Sequence, residues 1–216
     1  MIRLAVLDMA GTTVSDDGVV EHAFREAMGG SPTQQALDYV RSTMGQSKIT
    51  VFRALCGGDE AAAQDCNRRF ERAYDEAVNR GAVGPIAGAE GVIAGLRANG
   101  VQVCLTTGFS AGTRDRILDV VGWREAIDLA LSPEDAGRGR PYPDMILTAV
   151  LRLEVDDVHD VAVAGDTASD LVAGTRAGAG IVAGVLSGVH TRTELEAAPH
   201  THLIDSITDF PAILPG

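Results

Sequence analysis

Short apolar runs alternate along this chain with longer stretches of helical period. Residues 4–7 are all apolar, which suits a strand buried on both faces of a parallel sheet. The run stops at Asp8, and Gly11-Thr12-Thr13 follows as a small, hydrogen-bonding turn. Further strand patterns lie at 101–107, 127–131, 158–165 and 181–185, with a weaker one around Leu203-Ile204. Helical patterns at 90–99, 113–121, 143–153 and 171–179 separate them. Strands alternating with helices predict an α/β fold with a doubly wound, parallel, Rossmann-like sheet.

One stretch breaks the alternation. Between 16 and 83 the pattern is helical with almost no strand character. A helix at 20–28 closes at Gly29-Gly30, and Ser31-Pro32-Thr33 starts another over 34–43. Gly45-Gln46-Ser47 interrupts, and residues 48–55 resume with Ile49, Phe52 and Leu55 on adjoining faces. Asp59 caps a long polar helix to 77, and Gly84 to Ala89 read as a linker-like turn. The expected organisation is a core of residues 1–15 and 84–216, carrying an inserted helical cap subdomain at 16–83.

Composition narrows the function classes. At 216 residues and 45% hydrophobic, the chain can bury a sizeable core as one domain with an insertion. Aromatics are 4%, while Ala, Val, Leu and Gly are plentiful, a mix that suits close helix-to-sheet packing. The net charge of −12 comes with no clustered basic footprint, so nucleic acid is not an expected partner. No apolar run approaches the ~20 residues of a membrane span. Cys56, Cys66 and Cys104 are odd in number and lack metal-site spacing, so they read as free thiols of a reducing compartment. The first strand begins at once, leaving no room for a signal peptide, and a soluble cytoplasmic protein is expected.

Of 18 basic residues, 17 are arginine, and the single lysine is Lys48. Where a surface charge is all that is required, this composition uses arginine. A lysine can lose its proton and act as a nucleophilic amine, which an arginine cannot. The structural alternative is an ordinary surface residue.

The strand ends carry the candidate chemistry. Asp8, Thr107 and the group from Gly165 to Asp170 all follow apolar strands, and in a parallel sheet they converge on the carboxyl edge, where ligands bind. Carboxylates gathered there repel one another and call for a cation. Magnesium with a phosphate is the natural guest, since it takes oxygen ligands and keeps several waters. Arg140 can supply a fixed positive charge to that phosphate. Asp8 itself can act as nucleophile or metal ligand, or it can simply close an Asx turn.

In this order and spacing, the motifs resemble the haloacid dehalogenase superfamily over nearly the whole length. The resemblance implies a nucleophilic Asp8, a phosphate-binding Thr107, Arg140 as the basic residue, and Asp166 and Asp170 as the acidic motif that serves Mg2+. It makes Asp8, Ala10, Asp166 and Asp170 the expected metal set, with Gly11, Thr12, Met44, Gly45 and Gly108 about the substrate. It also reads the helical insertion as that superfamily's cap. Phosphatases of the superfamily carry a second aspartate two residues after the first, where this chain has Ala10, and a lysine where it has Arg140. Both departures resemble the phosphonoacetaldehyde hydrolase-like subgroup, as does Met44-Gly45-Gln46-Ser47-Lys48-Ile49. That subgroup's cap lysine forms a Schiff base with an aldehyde substrate.

The implied function is Mg2+-dependent cleavage of the carbon–phosphorus bond of a small carbonyl phosphonate, by Asp8 and Lys48. The alternatives are a phosphoester phosphatase or phosphomutase, and a non-catalytic binding module on the same fold. Three positions depart from the subgroup: Val51 replaces a histidine that assists proton transfer, Gly18 aligns near a cap-loop cysteine, and Phe109 lacks a tyrosine hydroxyl. A small phosphonate or phosphate is the expected partner, and a homodimer through the cap is implied by resemblance alone. His190, His200 and His202 read as surface histidines, Trp123 as packing, and Met44 as either cap-side lining or core.

Overall fold

The computed structural model describes residues 1–15 and 17–215. Residue 16, the expected start of the insertion, and residue 216 lie outside them. Strand β1 (Leu4–Asp8) is the centre of a six-stranded parallel sheet with β2 (Gln102–Thr106), β3 (Leu129–Leu131), β4 (Val161–Gly165), β5 (Ile181–Val185) and β6 (His202–Ile204). The strand order is β3-β2-β1-β4-β5-β6. The order reverses at β1, which opens a crevice beyond its carboxyl end.

Every β1 residue is buried because the sheet is covered on both sides. Alternate residues point to opposite faces. Ala5 and Leu7 meet α5 (Ala89–Ala98) and α6 (Ala111–Val121) through Val92, Ile93, Leu96 and Ile117. Leu4 and Val6 meet α8 (Asp144–Arg152) and α9 (Ala168–Ala177) through Met145, Ile146 and Ala173. Small residues such as Ala162, Ala164 and Ala149 let helix and sheet come close, as the composition predicts.

Four helices stand between β1 and β2: α1 (Val19–Ala27), α2 (Gln34–Ser42), α3 (Lys48–Leu55) and α4 (Glu60–Asn79). The Asp59 carboxylate accepts the Ala62 N–H at 3.0 Å and starts α4, while Thr33 accepts the Ala36 N–H at the start of α2. The buried positions of α4, at Ala63, Phe70, Tyr74, Ala77 and Val78, form one stripe. Four of the chain's five phenylalanines gather here with Tyr74. Phe24 lies 4.8 Å from Phe52 and 4.7 Å from Phe70 between ring centroids, and Tyr74 lies 4.4 Å from Phe109. Each such pair adds about 0.5–1.5 kcal/mol beyond its buried area. Phe109 belongs to the loop after β2, so the aromatic cluster crosses the seam between insertion and sheet. The chain segments entering and leaving the insertion are tied together, with Ser15 N–H on Gly84 O at 2.8 Å and Ile86 N–H on Thr13 O at 2.9 Å.

Several expected boundaries move, each for a local reason. The strand expected from 158 begins at Val161, because Asp157 accepts the His159 N–H and turns Val158–Asp160 into a 3-10 helix. The strand expected from 127 begins at Leu129. The Asp128 carboxylate takes the Val103 N–H at 2.8 Å, so a side chain replaces a rung of the ladder there. The helices α7 (Pro133–Ala136) and α10 (Arg192–Glu196) and the 3-10 segment Ile207–Ile213 are additional elements. All are too short to display a period and are started by capping boxes. Among the described residues no helix is long and apolar enough to cross a membrane.

Candidate active site

A cleft of about 400 Å³ opens at the carboxyl edge of β1, β2, β4 and β5. Asp8 reaches it because β1 ends in a tight turn. The Met9 carbonyl accepts the N–H groups of Thr12, Thr13 and Val14, and the Thr13 hydroxyl donates to Asp8 O at 2.8 Å. Gly11 makes the turn possible: its φ is +87°, and a Cβ there would fall on the Asp166 carboxylate. Thr12 is fully buried beneath the turn, and among the described residues its hydroxyl has no partner. Ala10 lines the cleft; with a methyl side chain it can offer only its main-chain carbonyl as a ligand.

Asp8, Asp166 and Asp170 bring a carboxylate oxygen each within 4.8 Å of one another, all buried. Arg140 answers part of this charge. Its Nη1 donates to Asp8 Oδ1 at 2.5 Å and to Asp170 Oδ1. The other Asp170 oxygen accepts from Thr167 N–H and Oγ1, a capping box that starts α9. Asp166 Oδ2 accepts the Val189 N–H at 2.8 Å, while its Oδ1 is buried and, among the described residues, unpartnered. One guanidinium thus faces three carboxylates. Burial pushes the Asp8 carboxyl up to about 7, against the pull of Arg140 and with a further push from Asp170. Burial, then the charges of Asp8 and Asp170, push Asp166 well above the usual carboxylate range. Burial also works against the charge on Arg140, but Asp170 and Asp8 outweigh it and keep the guanidinium protonated. An orphaned buried oxygen in an all-oxygen acidic cluster fits a hard divalent cation.

The helical insertion forms the opposite wall. Met44, Gly45 and Lys48 line the same cleft as Asp8, Thr107 and Arg140. Lys48 is 8% exposed and occupies the first position of α3, with Nζ 4.9 Å from the Phe109 ring centroid and 6.0 Å from that of Phe24. Its main-chain N–H donates to Gly108 O at 3.2 Å. At Gly108 insertion and sheet come close: a Cβ there would collide with the Gln46 carbonyl. Gly45 likewise sits against the Thr167 side chain. Thr107 presents its hydroxyl at the end of β2 and accepts the Phe109 N–H at 3.2 Å. Met44 both lines the cleft and touches the main apolar cluster. Val51 is buried in that cluster, and Gly18 lines the cleft.

Sequence reasoning missed a further contribution. Ser187, Gly188 and Val189 also line the cleft, and the Ser187 hydroxyl donates to Gly11 O at 3.1 Å. They lie just past the carboxyl end of β5, so the strand-end rule applied to β1, β2 and β4 would have found them. His190 follows and corrects the surface reading. The loop after β5 folds back over the start of α9, burying His190, whereas His200 is exposed and His202 half-buried. Trp123 packs as expected, with its indole N–H on Glu90 at 3.2 Å.

Comparison with known proteins agrees with this geometry. The model of the haloacid dehalogenase-like hydrolases matches residues 2–178. A phosphonoacetaldehyde hydrolase of Bordetella pertussis is 30% identical, across 99% of this chain and 91% of that one. A phosphonoacetaldehyde hydrolase-like protein of Oleispira antarctica superposes with a TM-score of 0.85 at 24% identity, across 98% of this chain and 91% of that one. A hydrolase of Pseudomonas syringae superposes with a TM-score of 0.86 at 20% identity, across 98% and 97%. At these identities the two structures speak for the fold alone.

Proposed function

Because the chain belongs to the haloacid dehalogenase-like hydrolases, and within them to the phosphonatase-like group, we propose that this enzyme cleaves the carbon–phosphorus bond of a small carbonyl phosphonate such as phosphonoacetaldehyde. The observation that carries the reading is the shared cleft: the chain's single lysine, from the insertion, lines it together with Asp8 and Arg140. We propose further that residues 16–83 act as a cap that closes this cleft from water.

The chemistry follows from what each group can do. A carbon–phosphorus bond leaves its electron pair on carbon, and protonating a leaving oxygen does nothing for it. The Lys48 amine condenses with the substrate aldehyde, losing water, to give a protonated imine. The Asp8 carboxylate attacks phosphorus in line. The carbon–phosphorus bond breaks, its electron pair passes into the imine to form an enamine, and an aspartyl phosphate remains. Protonation at carbon and addition of water release the aldehyde from Lys48, and a second water releases phosphate from Asp8. No acid at position 10 is required, consistent with Ala10.

Lys48 is buried at the first position of α3, where its amine can meet a carbonyl held in the cleft. The faces of Phe109 and Phe24 favour the cation once the imine is protonated. Arg140 and Thr107 hold phosphoryl oxygens, with Gly11, Thr12, Met44, Gly45 and Gly108 shaping the substrate's surroundings. Asp8, Asp166 and Asp170, with the main-chain oxygen of Ala10, would hold Mg2+, which supplies positive charge to the phosphoryl oxygens when bound.

The test is incubation with phosphonoacetaldehyde and borohydride, followed by mass mapping. The expected result is a reduced adduct on Lys48, with C–P cleavage lost in Lys48→Arg. An adduct elsewhere defeats the assignment. Turnover of a generic phosphate ester that survives Lys48→Arg, with no trapped adduct, points instead to a phosphoester hydrolase.

A further inference from the structure

The loop that leaves β5 turns back across the acidic cluster and is held at three points. The Ser187 hydroxyl donates to Gly11 O at 3.1 Å, in the turn that follows Asp8. The Val189 N–H donates to Asp166 Oδ2 at 2.8 Å. The Ala168 N–H donates to His190 Nδ1 at 3.0 Å. The first two tethers touch groups that the cleft already explains. The third is made by a side chain with no place in the chemistry above.

His190 is 7% exposed, so its ring cannot fall back on water. A ring nitrogen that accepts an N–H carries no proton, so the neutral imidazole here has its hydrogen on Nε2. Among the described residues, that Nε2 is buried without a partner. An apolar side chain would fill the space without the cost of an unpaired ring nitrogen, so packing is a poor account of a histidine. What an apolar side chain cannot do is accept the Ala168 N–H.

That N–H is a specific one. Ala168 is the first residue of α9, where main-chain donors have no partner inside the helix. It stands two residues after Asp166, and His190 stands one residue after Val189. The His190–Ala168 bond therefore closes a small loop around the Asp166 carboxylate, fastening the Val189 donor to the start of the helix that follows Asp166. The fit is close: a Cβ at Gly188 would overlap the Asp166 side chain. Val189 supplies the hydrogen bond recorded on Asp166 Oδ2, and Oδ1 is the orphaned oxygen of the cluster. Where Oδ1 points thus depends on where the loop holds Val189.

We propose that His190 is a positioning residue for Asp166, orienting its free oxygen toward a bound divalent cation through the β5 loop. The inference rests on the magnesium reading of the acidic cluster.

Calorimetric titration of the full-length protein with MgCl2 alone tests it. In His190→Leu the acceptor is lost and the bulk retained, and Mg2+ binding weakens by about 10–100-fold, as for other groups that orient metal ligands. In His190→Asn the side-chain oxygen stands near the Nδ1 position and accepts the same N–H, so binding returns to within about threefold of the parent. Ala168→Pro removes the donor at a helix position that tolerates proline. Thr167 before it is already extended, at φ −122° and ψ 153°, as a residue preceding proline must be. It matches His190→Leu, and the two changes combined are no worse than either.

Unchanged binding in His190→Leu overturns the proposal, as does a His190→Asn protein no better than His190→Leu. If His190→Leu does not fold, Ala168→Pro decides, weakened binding supporting the proposal and unchanged binding overturning it. Failure of the parent protein to bind Mg2+ refutes the metal reading instead. Amide exchange at Val189 then decides alone. Faster exchange in His190→Leu than in His190→Asn supports the tether, and equal rates overturn it.

Discussion

Three buried carboxylates against one guanidinium make the metal-free protein sensitive to pH in an unusual direction. The perturbation is removal of divalent cations by EDTA, followed by a change from pH 5 to pH 8. Asp8 has an ordinary value of 3.8 and is pushed up to about 7 in the fold, so between these values the folded state holds a proton that the unfolded state has lost. Stability then falls as pH rises through this window. At about 1.4 kcal/mol for each pH unit, the part of this gap crossed between pH 5 and about pH 7 amounts to about 3 kcal/mol. Asp166 is raised as well and adds to the loss in the same sense.

The carboxylates held low by surface arginines, such as Glu60 beside Arg53 at about 2, act in the opposite direction but below this window. They contribute stability above about pH 4.5 that is lost as pH falls. Maximum stability of the metal-free protein is therefore expected near pH 5. Domains of this kind have only about 5–15 kcal/mol in total, so the loss is large. Urea unfolding followed by circular dichroism at half-unit pH steps measures it. Asp8→Asn keeps an oxygen for Arg140 and removes the titrating group, so it flattens the profile. Mg2+ at about 100 times its dissociation constant restores about 2.7 kcal/mol at pH 8. A metal-free protein equally stable at pH 8 and pH 5, or more so, would refute the account of this cluster.

Phe109→Ala removes the ring shared by Tyr74, Phe70 and Lys48 and should cost about 3–5 kcal/mol by urea unfolding. A loss under about 1 kcal/mol would mean the seam does not depend on it. Gly108→Ala places a methyl on the Gln46 carbonyl, so the loop carrying Gly45 to Lys48 must shift. A cost of about 1–3 kcal/mol is expected, with kcat/KM falling further than stability alone explains. Burial raises the Cys104 thiol and, more modestly, Cys56. Ellman's reagent at pH 8 should therefore leave Cys104 unlabelled until the protein is denatured, and labelling of all three thiols in the native state would contradict the burial.

The central strand and its neighbours were legible from local pattern. Unbroken apolar runs at 4–7 and 181–185 can be satisfied only by burial on both faces, and helices of nine or more residues repeat their period often enough to be seen. Residues at the strand ends were legible for the same reason: once a run stops, the next polar residue lies at the sheet's edge. The short helices at Pro133–Ala136 and Arg192–Glu196 were not, since a single turn carries no period.

Chain order and polarity by themselves therefore determined a parallel sheet led by Asp8, a helical insertion after it, and one lysine within that insertion. Tertiary structure decided which distant parts meet. Arg140 reaches Asp8 across 132 positions of sequence, Phe109 closes the aromatic seam with Tyr74, and His190 folds in to grip the helix that follows Asp166. Periodicity is set by neighbours a few residues away, where φ and ψ and side-chain spacing act. Partners across the fold are selected only when the sheet's order brings their loops to one edge, and no short stretch of sequence encodes that order.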